Sequence, residues 1–141
     1  SVLASNIHDA DILDLFAGSG SLGIEALSRG ARHVTFVDQS MLCKRTIEKN
    51  LSGLDITDKA TVVKSEALSF VRQCTQAFDL IFMDPPYNKG LASKTVTHVY
   101  NLLKIGGILA IEHSPDEIIY VQSWKTRTYG DTMITYIKRC T

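Results

Sequence analysis

Two hydrophobic periods alternate along the chain. Short, dense apolar runs occur at residues 11–17 (DILDLFA), 33–38 (HVTFVD), 60–64 (ATVVK), 78–84 (FDLIFMD) and 107–112 (GILAIE). Runs of this length and continuity are those of strands buried on both faces of a parallel sheet. Between them, residues 21–29, 40–51, 66–76 and 93–103 repeat apolar positions at helical spacing. Gly30, Gly53, Gly106 and Gly107 punctuate the joins. Alternation of strand and helix predicts right-handed crossovers and an open, doubly wound α/β sheet. The rhythm breaks near the end. Residues 118–124 and 132–139 are both strand-like with only 125–131 between them, too few for a crossover helix, which predicts an antiparallel hairpin.

Composition narrows the class. At 141 residues, 45% hydrophobic and 21% charged, residues 1–141 read as one globular domain with its own core. Fifteen basic residues balance fifteen acidic ones, so no whole-molecule field steers the chain to nucleic acid, and any such surface is local or lies outside this chain. No apolar run approaches the ~20 residues of a membrane helix, and the opening SVLASNIHDAD has no secretory pattern. Cys43, Cys74 and Cys140 are odd in number and widely spaced, as reduced cytoplasmic thiols are, and no metal site is expected.

Ligands of such sheets bind outside the carboxyl ends of the strands, near the point where strand order reverses. Asp14, Asp38, Glu66 and Asp84 are predicted at or just past the ends of the first four strands, an acidic rim that needs cations or hydrogen-bond donors. Gly18, Gly20 and Gly23 match G-x-G-x-x-G between a strand and a helix, with Asp38 twenty positions beyond Gly18. That pattern lets backbone approach a nucleotide and an acid bind ribose hydroxyls. Asp14, just before the glycines, would oppose a pyrophosphate on the helix N-terminus. It would favour the sulfonium and ammonium of S-adenosylmethionine over NAD. No GK[ST] follows, which excludes a P-loop.

Seventy residues after Asp14 stands DPPY, residues 84–87. An aromatic amine is a weak nucleophile because its lone pair is delocalised into the ring. If Asp84 and the Pro85 carbonyl accept its N–H groups, the lone pair can be aimed at a methyl carbon. Pro85 and Pro86 stiffen the turn, and Tyr87 offers a face for an extruded base. Transfer of this kind rests on positioning and needs no covalent intermediate, so none of the cysteines is required. His8, His33, His98 and His113 share no spacing, and Ser114 lacks a G-x-S-x-G elbow. Lys44, Arg45, Lys138 and Arg139 read as solvated charges, whereas Lys125 and Arg127, expected in the hairpin loop, could contact phosphates.

The runs DLFAGSGSLGIEALSRGA (14–31), FVDQS, SEAL, FMDPPY and YGDTMITYIKR (129–139) resemble, in order and over nearly the whole chain, the RsmD-type bacterial small-subunit rRNA guanine-N2 methyltransferases. The resemblance implies a class I methyltransferase fold, a Rossmann-like sheet of seven strands with an antiparallel last strand. It implies a cytoplasmic, monomeric enzyme that methylates guanine N2 of small-subunit rRNA in a ribosomal subunit or assembly intermediate, with S-adenosylmethionine as donor. By the same resemblance Asp14, Gly18 and Gly20 line the methionine end of the cofactor, Asp38 binds the ribose, and Gln39 lies beside the adenine. Glu66 and Ala67 stand near the adenine amino group, where the family more usually has Asp-Ala. Asp84, Pro85, Pro86 and Tyr87 form the catalytic corner. Family members normally carry a basic hairpin and a helix ahead of the first strand, a segment this chain does not contain. A DNA adenine-N6 methyltransferase uses the same DPPY logic and stays open as an alternative. So does an idle cofactor-binding module paired with an active subunit, while an NAD oxidoreductase ranks last.

Overall fold

A computed structural model describes residues 6–86, 90–115 and 125–140. The elements run β1 (Asp11–Leu15), α1 (Ser21–Ser28), β2 (His33–Asp38), α2 (Met41–Gly53), a 3-10 turn (Thr57–Lys59), β3 (Ala60–Lys64), α3 (Ala67–Gln73), β4 (Phe78–Met83), α4 (Leu91–Tyr100), β5 (Leu103–His113), β6 (Lys125–Tyr129) and β7 (Thr132–Lys138). Among the described residues seven strands form one sheet in the order β3-β2-β1-β4-β5-β7-β6. β1 pairs in parallel with both β2 and β4, so strand order reverses between those neighbours. β7 runs antiparallel to β5 and β6. The mostly parallel α/β sheet predicted from the alternating periods is therefore present, with its antiparallel last strand.

Period-two alternation splits the core. Leu13, Leu15, Ile81, Met83, Leu109 and Ile111 pack against Val71 of α3 and Val96 and Val99 of α4. Their neighbours in the strands, Ile12, Phe36, Leu80, Phe82, Ile108 and Ala110, face the other way, toward Ala26 and Leu27 of α1 and Ile47 and Leu51 of α2. Burial of each large side chain contributes ~1.5–3 kcal/mol. Among the described residues no helix is long and apolar enough to cross a membrane.

Several boundaries differ from those the sequence predicts: β1 ends at Leu15, α3 spans Ala67–Gln73 and α4 Leu91–Tyr100, and three further differences have a visible cause. β5 begins at Leu103, ahead of the glycine pair expected to precede it. Its register against β4 jumps from Phe78↔Leu103 to Leu80↔Ile108, and Gly106, at φ +85, turns the chain inside that irregularity. There its amide donates to the Arg139 carbonyl at 2.6 Å and the Arg139 amide to the Gly107 carbonyl at 3.0 Å. α2 runs on through Gly53, and the turn falls instead at Asp55, with φ 57. The hairpin exists, but Lys125 and Arg127 lie in strand β6 rather than in its loop, and the turn is at Gly130 and Asp131. Cross-strand pairing of Tyr129 with Thr132 sets that tight turn. The predicted strand at 118–124 lies outside the described residues.

Close approach of α1 to β2 depends on Gly23. A Cβ there would stand 2.3 Å from Cε1 of Phe36 and 2.9 Å from Cγ1 of Val34. Gly53 differs, since nothing lies within 4 Å of the added carbon. Gly23→Ala should therefore lower unfolding free energy by about 1–3 kcal/mol through overpacking. Gly53→Ala should raise it by ~0.5–1 kcal/mol through the unfolded chain and helix propensity. Urea titrations of both variants check the contrast, and a neutral Gly23→Ala would mean that the helix can lift off the strand without cost.

Candidate active site

The first crossover turn is built by backbone constraint. After β1 the chain keeps one more bond to β2, Ala17 N–H to the Val37 carbonyl at 2.9 Å. Around that bond the chain turns through positive φ at Phe16, Gly18 and Gly20. Gly20 caps α1 in a left-handed conformation, and its missing side chain admits Ile47 of α2, whose Cγ1 would lie 2.9 Å from a Cβ. At Gly18 space is open, and only the +59° φ favours glycine.

Asp38 ends β2 and binds two loops at once. Its Oδ2 accepts from the Gly18 amide and its Oδ1 from the Ser40 amide, each at 2.9 Å. Ser40 caps α2 by accepting from the Cys43 amide at 3.2 Å. The Asp38 carbonyl accepts from the Ser65 amide at 3.0 Å, which carries the tie on to the end of β3.

Beside these loops lies a cleft of about 650 Å³. Phe16 and Val37 form its apolar floor, and Asp38, Gln39, Ser65, Glu66, Ala67 and Leu68 line the β2 and β3 side. Asp84, Pro85 and Pro86 close it from β4, and Lys94 and Thr95 from α4. Thr95 is fully buried and donates to Sδ of Met83 at 3.6 Å. The structure thus brings Asp38, Gln39, Glu66, Ala67, Asp84, Pro85 and Pro86 together around one cavity. Tyr87 lies outside the described residues.

Asp14 is placed differently from the sequence reading. It sits inside β1, is only 2% exposed, and does not line the cleft. Period two directs it to the α1 face, where its Oδ2 accepts from the Gly23 amide at 3.2 Å. Burial pushes its carboxyl up to about 7, the Gly23 amide opposes that rise, and the charges of Asp84 and Asp38 add to it. Gly20 likewise faces the core and does not line the cleft.

The strand order β3-β2-β1-β4 sets Glu66, Asp38, Asp14 and Asp84 in succession across the sheet, but only Glu66, Asp38 and Asp84 reach the cleft, Asp14 being buried. β5 extends the succession. Met83 pairs with Ile111, so Asp84 is followed across the sheet by Glu112, which hydrogen-bonds the Asp84 carboxyl. Partial desolvation, then the charge and hydrogen bond of Glu112, push Asp84 up to about 6. Among the described residues no group of three or more His, Cys, Asp or Glu is arranged to hold a metal ion. His113 is buried and engaged on both sides. Its Nδ1–H donates to the Ser114 carbonyl at 2.9 Å, so Nε2 accepts from the Thr135 hydroxyl at 2.7 Å.

Sequence reasoning missed Phe16, Ser65, Leu68, Lys94, Thr95 and Glu112. A signal existed for Glu112, because GILAIE ends in an acid as the other rim strands do, yet only the first four strand ends were read as the rim. Lys94 and Thr95 carried none, since their helix is brought over the cleft by tertiary packing.

The model of a family described as conserved hypothetical protein 95 matches residues 1–138. Ribosomal RNA small subunit methyltransferase D of Escherichia coli is 42% identical over 121 residues, covering 86% of this chain and 57% of that protein. The chain thus spans little more than half the length of that relative. The Haemophilus influenzae protein of the same name is 36% identical over 133 residues, covering 88% of this chain and 69% of its own length. A solved Haemophilus influenzae methylase candidate superposes with a TM-score of 0.90 at 32% identity, over 99% of this chain and 92% of that one. With the cleft at the strand-order reversal and DPP at its wall, these matches lead to one conclusion: the chain belongs to the ribosomal RNA small subunit methyltransferase D family.

Proposed function

We propose that this chain transfers a methyl group from S-adenosylmethionine to the exocyclic N2 amine of a guanine in small-subunit rRNA. The observation that carries the reading is the apolar-floored, acid-rimmed cleft that ends on Asp84, Pro85 and Pro86. The residues fit the cofactor. Asp38 is anchored by two amides at the cleft wall and retains lone pairs for ribose hydroxyls, with Gln39, Glu66 and Ala67 beside it for the adenine. The charges of Asp84 and Asp38 add to the rise of the Asp14 carboxyl, an excess of negative charge that a sulfonium and an ammonium would relieve. When bound, S-adenosylmethionine supplies a methyl group on a positively charged sulfur.

Asp84 and the Pro85 carbonyl accept the two amine hydrogens of the base, which localises the nitrogen lone pair toward the methyl carbon. As the C–N bond forms and the C–S electrons pass to sulfur, Asp84 takes the proton the amine loses. A carboxyl near 6 suits that task close to neutral pH. Tyr87 is proposed as the stacking face for the base.

The protein would be incubated with methyl-labelled S-adenosylmethionine and small ribosomal subunits, naked rRNA or duplex DNA, and the labelled nucleoside identified. Label in N2-methylguanosine from rRNA, reduced about 10²–10⁴-fold by Asp84→Ala, is the expected result. Label in N6-methyladenine of DNA would overturn the rRNA reading. Binding of S-adenosylmethionine with no turnover would leave a cofactor-binding module.

Acid-base linkage provides a second test. The folded-state values of Asp14, about 7, and Asp84, about 6, both lie above the ordinary 3.8. The folded protein therefore binds more protons than the unfolded chain, and its stability should fall as pH rises from about 4 through 7. A cationic ligand prefers both groups ionised, so S-adenosylmethionine should bind more tightly across that window and release protons. Asp14→Asn should flatten both slopes. Calorimetric titration in buffers of different ionisation enthalpy measures the proton release, and an uptake of protons would contradict the linkage.

A further inference from the structure

The guanine reading leaves open which residue distinguishes guanine from other bases that carry an amine. Glu112 is the last residue but one of β5. It is held in register by β7 through Glu112↔Ile134, while the preceding Ile111 is paired with Met83 of β4. Its backbone is thus clamped within the sheet, the kind of rigid support that precise recognition needs. In β5, Ala110 shares the face of Phe82 in β4, so two steps on, Glu112 and Asp84 emerge on the same face and meet in a hydrogen bond.

Asp84 lines the cleft and Glu112 neighbours it across the sheet, so the pair sets two acidic groups side by side at the strand ends. On the pairing edge of guanine, N1–H and the N2 amine are adjacent donors. Adenine presents an amine beside a bare N1 lone pair. Building on the proposed function, we infer that Glu112 selects the base: its carboxylate accepts the guanine N1–H while Asp84 and the Pro85 carbonyl accept the N2 amine. An entering guanine sets a row of N–H donors against these neighbouring acceptors. Adenine, or any amine-bearing base with an unprotonated N1, sets a lone pair against a carboxylate and leaves a desolvated acceptor unmatched.

The role separates from mere support of Asp84 by its effect on substrate choice. 2-Aminopurine keeps the N2 amine but has a lone pair at N1. The experiment offers the protein small-subunit rRNA carrying guanine or 2-aminopurine at the methylated position and compares kcat/KM for the two. The unaltered protein should prefer guanine by about 10–100-fold, the range of one good base-edge contact. Glu112→Gln, whose amide can donate to a bare N1, should reduce that preference by at least about 10-fold. Glu112→Asp should retain it at a lower rate, and keeps the test available if Glu112→Gln folds poorly. Loss of activity on both substrates in equal proportion, with the ratio unchanged in Glu112→Gln or lost in Glu112→Asp, would overturn the assignment and leave Glu112 a support for Asp84. Absence of label in guanine with the unaltered protein would instead defeat the reading of the reaction itself.

Discussion

The carboxylate of Asp38 holds the working end of the sheet together. Three crossover connections leave the strands at that end, and each would be free to drift if it were tethered only to its own strand. One oxygen takes the Gly18 amide and the other the Ser40 amide, while the same residue's carbonyl takes the Ser65 amide. The loops after β1, β2 and β3 are thereby bound to a single residue. Charge-assisted bonds to backbone amides are stronger than neutral ones, and Ser40, once held, caps α2. This junction ties the polar side of the cleft together, while Phe16, Val37 and Leu68 join its apolar side to the core.

Asp14 shows what that arrangement demands of the chain. A carboxyl buried at 2% exposure behind the turn is costly in its charged form, and its single described bond, to the Gly23 amide, offsets only part of the cost. An alanine or leucine in β1 would pack with less penalty. Retaining an acid there costs stability at pH values where it is ionised, a local conflict of the sort found at functional sites.

Much of the fold was legible in the sequence because dense apolar runs and helical spacing follow directly from two-sided burial. β2 and β3 have the bounds their runs imply. The errors share a cause: local signals were overridden by partners distant in sequence. The strand run reads as starting at Gly107, yet β5 begins at Leu103 and passes through Gly106, and at Gly107 only a glycine fits, since a side chain there would meet the Lys104, Asp79 and Phe78 carbonyls. Lys125 and Arg127 read as loop charges, yet they pair with β7. In the site, motif residues such as Asp38 and Asp84 were readable as types at fixed spacing. Asp14 was readable as a residue of interest but not as a buried one, since the strand period that turns it inward is visible only once its neighbours are known. Lys94 and Thr95 reach the cleft through helix packing that no local pattern encodes.

The position of β7 bears on how the molecule is made. This strand is synthesised after β6, yet it lies between β5 and β6. While residues 132–138 are still within the ribosome, β5 has an open edge of unpaired amides and carbonyls along its most apolar stretch, Ile108 to Ile111. Exposed edges of that kind recruit other strands. β7, by covering that edge, is therefore the strand that keeps β5 from pairing with another chain.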